Sequence, residues 1–212
     1  METTEEKVAV PIAATYANDV LKTIYTRRAT RKYKDQPIPR ELIQQVIEAG
    51  RMAPSAINKQ PWRFYILTDK ERIKQFSKEI VKAGAMDMIK SGVKNIVKTA
   101  VGYFHFPKGM DMLKEPDPIF HGAPVIIFMA SPRDNEWAPL DVGMCCQNMM
   151  LAAKSLGLDS CPVGMAKFVE HAKSFSTLTI PKSEQVDLAI ILGYGNESPI
   201  VHERAKDNAI YL

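Results

Sequence analysis

The sequence predicts an α+β fold, a central sheet flanked by helices in two or three layers, and three observations carry that expectation. Residues 124–130 (PVIIFMA) and 186–192 (VDLAIIL) are short, dominantly apolar runs, as strands buried on both faces require. Between them, residues 139–156 are apolar nearly all round, which marks a helix of the core or of a subunit interface. Upstream, apolar residues recur at helical spacing in two separate segments.

The elements follow in order. Residues 18–26 form a helix with Val20, Leu21, Ile24 and Tyr25 on one side, and Pro37-Ile38-Pro39 stops its continuation. A second helix starts at Arg40, carries Leu42, Ile43, Val46 and Ile47 on one face, and has Gly50 as its stop. The aromatic and branched run WRFYIL at 62–67 favours a strand, and Asp69 caps the helix that contains Ile73, Phe76 and Ile80. Residues 84–120 read as an irregular helical insertion or a cover over a site, with an aromatic patch at 103–107. Pro139 belongs in the first turn of the long apolar helix, and Gly157 ends it. No repeat, low-complexity tract or flexible linker divides the 212 residues, so one domain over 1–212 is expected.

Composition narrows the function. With 46% hydrophobic and 25% charged residues the chain is an ordinary water-soluble globular protein. A net charge of +4 is too mild for a nucleic-acid partner, although residues 27–34 (RRATRKYK) concentrate five positive charges. Cys145, Cys146 and Cys161 include no CxxC pair, which suits reduced thiols in a cytoplasmic protein. The amino end lacks the pattern of a secretory signal, and no apolar run is long enough to span a membrane. The sequon at Asn196 is therefore expected to stay unmodified.

Several catalytic motifs fail on context. Gly193-Tyr194-Gly195 follows a strand but has no helix and acidic residue beyond it, so it is no dinucleotide fingerprint. His105, His121, His171 and His202 lack metal-ligand spacing, and no metal is expected. Ser55 is outside any GxSxG, and there is no P-loop.

Three polar segments remain, each at an element boundary where ligands commonly sit: RRATR at 27–31, PSAINKQ at 54–60 and CPVGM at 161–165. Paired arginines among small residues suit a phosphate, because guanidinium forks bind it bidentately and small neighbours admit backbone N–H groups. The amides of Asn58 and Gln60 can read a heterocycle edge bearing C=O and N–H groups, or they can cap their own loop.

The same segments, together with HGAPVIIFMAS, DVGMCCQNMMLAAKSLGLDSCPVGM and VDLAIILGYG, are similar to the nitroreductase family of FMN enzymes over nearly the whole chain. The resemblance implies a nitroreductase-like α+β fold, with a central mixed sheet flanked by helices, in an intertwined homodimer with a flavin at each of two shared sites. It implies that Arg27 and Arg28 hold the flavin phosphate, with Ala29 where many members carry Ser, and that Arg204 is a second phosphate ligand. Arg31 is implied near flavin N1 and O2. Pro54, Ser55, Ala56 and Asn58 match a loop that reaches the flavin from the partner subunit, and Gln60 belongs to the same loop. Pro162, Val163 and Gly164 are implied against the ring, with a backbone N–H near N5. The activity implied is NAD(P)H-dependent reduction of small electron-poor acceptors: nitroaromatics, quinones or activated alkenes. The alternatives are a non-catalytic FMN store and a specialised branch for dehalogenation or flavin breakdown.

Overall fold

The computed structural model describes residues 18–90, 115–205 and 208–210. Four strands, β1 (Arg63–Leu67), β2 (Val125–Pro132), β3 (Asp159–Val163) and β4 (Glu184–Gly193), pair antiparallel in the order β1-β2-β4-β3. The parallel part of the expected mixed sheet is confined to an isolated bridge between Ala29 and Ser160 on the β3 edge. Strands β2 and β4 are central, which is why their sequences are apolar on both sides; seven of the eight β2 residues are buried.

Among the described residues there are four α-helices, α1 (Asp19–Thr26), α2 (Arg40–Arg51), α3 (Lys70–Lys90) and α4 (Ala138–Ser155), of which α2, α3 and α4 pack on the sheet. Beneath α2 and α4, Val46, Ile47, Val142 and Met149 pack on Val125, Ile127, Met129, Ile190 and Leu192. On the other face, Ile73, Phe76 and Ile80 of α3, with a 3-10 helix at Gly164–His171, pack on Ile126, Phe128 and Ile191. Phe76 and Phe120 both meet the Phe128 ring edge-on, at centroid distances of 6.1 and 5.9 Å. The alternation of side chains along each strand thus feeds two cores, one on each face of a three-layer arrangement.

Local signals act as expected at three helix ends. The Asn18 side chain accepts from Leu21 N at 3.0 Å and starts α1, Asp69 accepts from Arg72 N at 2.8 Å and starts α3, and Gly157 takes a φ of 78° after α4. Gly50 differs. It lies inside the last turn of α2, and a Cβ there would stand 2.6 Å from Met149 Cγ, so its role is to let α2 approach α4. The second departure is α1, whose apolar residues are not buried: Val20 is 66% exposed, and Ile24 and Tyr25 are also exposed. Of the cover expected over 84–120, residues 84–90 continue α3, and 91–114 lie outside the described residues, as does the aromatic patch.

Candidate functional site

The basic segment 27–34 is stitched to one corner of the sheet. Arg27 ends α1, with its N–H on Thr23 O at 2.9 Å and an extended backbone that turns the chain onto the sheet. Thr30 N then donates to Ser160 O at 3.1 Å, Lys34 N to Tyr194 O at 2.8 Å, and Asn196 N to Lys32 O at 2.9 Å. The glycines of the GYG triplet allow this approach. A Cβ on Gly193 would stand 2.4 Å from the Tyr33 ring, and one on Gly195 would stand 2.3 Å from Asp159 Oδ2. The triplet is therefore a packing device for the basic segment. Two of the three predicted segments, RRATR and CPVGM, are brought together here, since Ser160 directly precedes Cys161 and Pro162 on β3.

Electrostatics locate the Arg27 guanidinium more closely. Burial pushes the Cys146 thiol up to about 12, and Arg27 acts against that shift. The Cys161 thiol is also raised by burial, opposed by Arg31 and Arg27. Arg27 is thus electrostatically coupled to buried thiols on both α4 and β3. Arg28 has a different surrounding: its Nη1 donates to Tyr25 O at 2.6 Å and Arg27 O at 2.7 Å, so it caps carbonyls at the end of α1. Arg31 is exposed, with its backbone N–H on the Glu197 carboxylate. It lines a cavity of about 500 Å³ with Lys32, Tyr33, Lys70, Lys74 and His121.

Among the described residues, the buried side-chain polar atoms without a hydrogen-bond partner are Arg27 Nη1, Arg28 Nε and Ser160 Oγ, all at this corner. Buried donors are nearly always paired, and leaving one unpaired costs about 1–3 kcal/mol, so such a cluster calls for an acceptor from outside the chain. The donor set, guanidinium plus hydroxyl, fits the phosphate of FMN. Ser160, which directly precedes CPVGM, was not singled out from the sequence.

The loop at 54–60 is elsewhere and its polar groups are occupied. Ala56 N donates to both oxygens of the buried Asp141 carboxylate at 3.2 and 3.3 Å, tying the loop to the first turn of α4. Gln60 Nε2 donates to Asn58 Oδ1 at 3.1 Å, Gln60 N to Ser55 Oγ at 3.0 Å, and Asn58 N to Ser55 O at 3.0 Å. Of the two readings of these amides, the self-capped loop is the one present in the single chain. Pro54, Asn58 and Gln60 are exposed, and Ile57, Asn58 and Gln60 hold positive φ values of 46°, 56° and 47°.

Register shows how far apart the segments lie. Ser160 is level with Leu192 and Val125, whereas Arg63, just after the loop, is level with Ala130 on the opposite edge strand. That is about 17 Å along the strands and about 14 Å across them. The remaining positions are simpler. Val163 is turned into the core, Pro162 and Gly164 are exposed, and Gly164 opens the 3-10 helix. Arg204 is in the exposed carboxyl segment with Nη1 on His202 O at 3.2 Å. No group of His, Cys, Asp and Glu among the described residues could hold a metal ion, and no described helix is long and apolar enough to cross a membrane.

The chain is thus a three-layer α+β protein with a corner at which buried donors lack acceptors. The comparisons give it a family: residues 24–194 match the Nitroreductase family, and the chain belongs to that family. It is 29% identical over 210 residues to a chloronitrobenzene nitroreductase of Comamonas testosteroni, covering 85% of this chain and 88% of that one. Among solved structures, it matches an FMN-bound nitroreductase of Desulfitobacterium hafniense with a TM-score of 0.74 at 25% identity, covering 93% of this chain and 100% of that one. An FMN-bound nitroreductase of Bacteroides fragilis matches with a TM-score of 0.71 at 26% identity, over 92% and 98%. The family is one of oxidoreductases, and both of these solved structures carry bound FMN.

Proposed function

We propose that the chain works as a homodimer in which Arg27 and Arg28 hold the FMN phosphate, Arg31 lies at the pyrimidine edge, and the loop at 54–60 closes the partner's site. The observation that carries this reading is the cluster of unpaired buried donors at the Arg27 corner. Two others support the dimer. The basic corner borders the β3 edge of the sheet, whereas the loop leads into β1 on the opposite edge, an arrangement that suits half-sites completed by a partner. The exposed apolar side chains Val20, Ile24, Met52, Ile57, Trp137 and Leu140 provide the kind of surface that a partner buries.

FMN, when bound, accepts and donates hydride at N5. The chain's residues do the rest. Arg27 and Arg28 bind the dianion with charge-assisted hydrogen bonds, and Arg31 places a fixed cation where negative charge gathers on the reduced ring. Hydride transfer needs no protein nucleophile or dedicated base, in keeping with the lack of a triad in the sequence. One open face serves NAD(P)H and then an electron-poor acceptor, with nitroaromatics as the first class to test, quinones and activated alkenes next. Arg204 is a candidate second phosphate ligand once the carboxyl segment docks, and the free thiols suit the cytoplasm.

The test is the visible spectrum of the purified protein. A yellow dimer whose flavin band bleaches anaerobically with NADH or NADPH, and recovers on adding a nitroaromatic, is the expected result. Flavin that binds yet resists both nicotinamides would favour a storage role, and a colourless monomer that ignores added FMN would overturn the proposal.

A further inference from the structure

We infer that Asp141 is the positioning residue for the loop at 54–60, and that through this loop one subunit sets how tightly its partner holds FMN; this rests on the shared-site reading above. Ala53 and Trp62 are buried and fix the two ends of the loop, but none of residues 54–60 is buried. The hydrogen bonds from Asn58 N, Lys59 N, Gln60 N and Gln60 Nε2 all stay within the loop. Ala56 N alone reaches outside it among the described residues, to both carboxylate oxygens of Asp141 at 3.2 and 3.3 Å.

The loop needs such a tether. Ile57, Asn58 and Gln60 all hold left-handed backbone, and a β-branched residue such as Ile57 is rarely found there. Conformations of this kind persist only where the surroundings over-determine them. Asp141 supplies that constraint, and it is itself placed at a cost. It is 2% exposed, on the side of α4 that also buries Val142 and Cys145. Burying a carboxylate is unfavourable unless it is paired, yet among the described residues no cation pairs with it, and Ala56 N is its one hydrogen-bond donor from outside its own helix. Two features keep its charge in place: the first turn of α4, where a helix N-terminus favours an anion, and the Ala56 N–H, aimed between both oxygens. An apolar side chain at position 141 would avoid the desolvation cost but leave the loop without its anchor. The anchor is firm, because α4 is bonded to the helix that leads into the loop, through Asn148 Nδ2 on Ala49 O at 3.3 Å.

The experiment titrates apoprotein with FMN, following flavin fluorescence, for the parent, Asp141→Ala and Asp141→Asn, and for mixed dimers assembled from two differently tagged chains. Asp141→Ala should bind FMN about tenfold more weakly, as for one lost charge-assisted hydrogen bond, and Asp141→Asn, which keeps one acceptor oxygen, about threefold more weakly. A mixed dimer of Asp141→Ala and Arg27→Ala chains should hold one FMN with parent affinity, because its one intact corner meets an intact loop. A merely structural role for Asp141 predicts otherwise: the chain that lacks it would carry a damaged corner of its own, and no parent-like site would remain. That outcome, or parent affinity in the Asp141→Ala homodimer, overturns the inference. The mixed dimer of Arg27→Ala and Asn58→Ala chains tests the reading beneath it. If that pair recovers no intact site, or if the parent chain binds no FMN, the shared-site reading has failed and takes this inference with it. If Asp141→Ala does not fold, Asp141→Asn replaces it in the mixed dimer, and the presence or absence of one parent-like site decides.

Discussion

The Arg27 corner and the loop at 54–60 are both polar, both at element boundaries and both legible in the sequence, yet they are finished in opposite ways. At the corner the backbone is fully engaged, with Thr30, Lys34 and Asn196 all bonded across to neighbouring segments, and the side chains are left with unpaired donors. In the loop the side chains bond to their own backbone or to each other, and what projects outward is an apolar group, Ile57, at 88% exposure. The first leaves buried donors without acceptors inside a bonded frame; the second leaves an apolar side chain outside a self-bonded turn. The difference teaches that a candidate site is recognised by what remains unsatisfied after folding, and the kind of deficit tells which partner is missing.

Substitutions can break that contrast, and the largest effect is expected at Arg27. Arg27→Ala should weaken FMN binding by about 1.5–3 kcal/mol, the loss of a charged hydrogen bond, with little change in apoprotein melting; unchanged retention of FMN through gel filtration would contradict it. Arg31→Ala should instead lower the flavin midpoint potential more than it loosens binding, and identical potentials in variant and parent would remove Arg31 from the pyrimidine edge. Next comes the frame. Gly193→Ala forces a methyl against the Tyr33 ring, and a cost of about 1–3 kcal/mol in stability together with weaker FMN retention is expected from denaturant titration of apo- and holoprotein.

On the loop side, Asn58→Ala should reduce flavin affinity by about 0.5–1.5 kcal/mol without affecting the chain that carries it. Mixed dimers with Arg27 and Asn58 substituted on different subunits should therefore recover one good site. Two singly damaged sites and no intact one in the mixed dimer would argue for a site within one chain.

The smallest effect is on pH dependence. Burial, then Arg31, holds the pKa of His121 below its usual value, against the opposing pull of Asp117, Glu197 and Glu115. Because the folded value is depressed, protonation opposes the fold: the stability it contributes is present above the unfolded value of 6.5 and is lost as the pH falls through the lower folded value. His121→Asn tolerates the positive φ of 56° and should flatten the melting-temperature profile between pH 6.5 and the lower folded value. A profile as steep as the parent's would place the acid sensitivity elsewhere.

Much of the frame was legible because it depends on local pattern. The apolar runs of β2 and β4 mark strands buried twice over, and Asn18, Asp69, Pro139 and Gly157 mark helix ends by chemistry that acts within a few residues. Gly50 shows the limit of such signals, since a glycine near a helix end looks the same whether it stops the helix or admits Met149. The amides of Asn58 and Gln60 show another, because donor and acceptor capacity does not say which partner will be found.

By itself, the sequence determined the four described α-helices, strands β1, β2 and β4, the apolar faces and the three polar segments, all consequences of side-chain type and spacing along the chain, whereas the short edge strand β3 was not read from it. Tertiary structure alone decided which of those segments share a corner, that Arg28 Nη1 is drawn onto backbone carbonyls while Arg27 Nη1 is left without an acceptor, and that Ser160 pairs with Ala29. The physical reason is that hydrogen-bond satisfaction is settled between residues far apart in sequence. Position 29 meets position 160 only when the sheet is assembled, and no local pattern records that meeting.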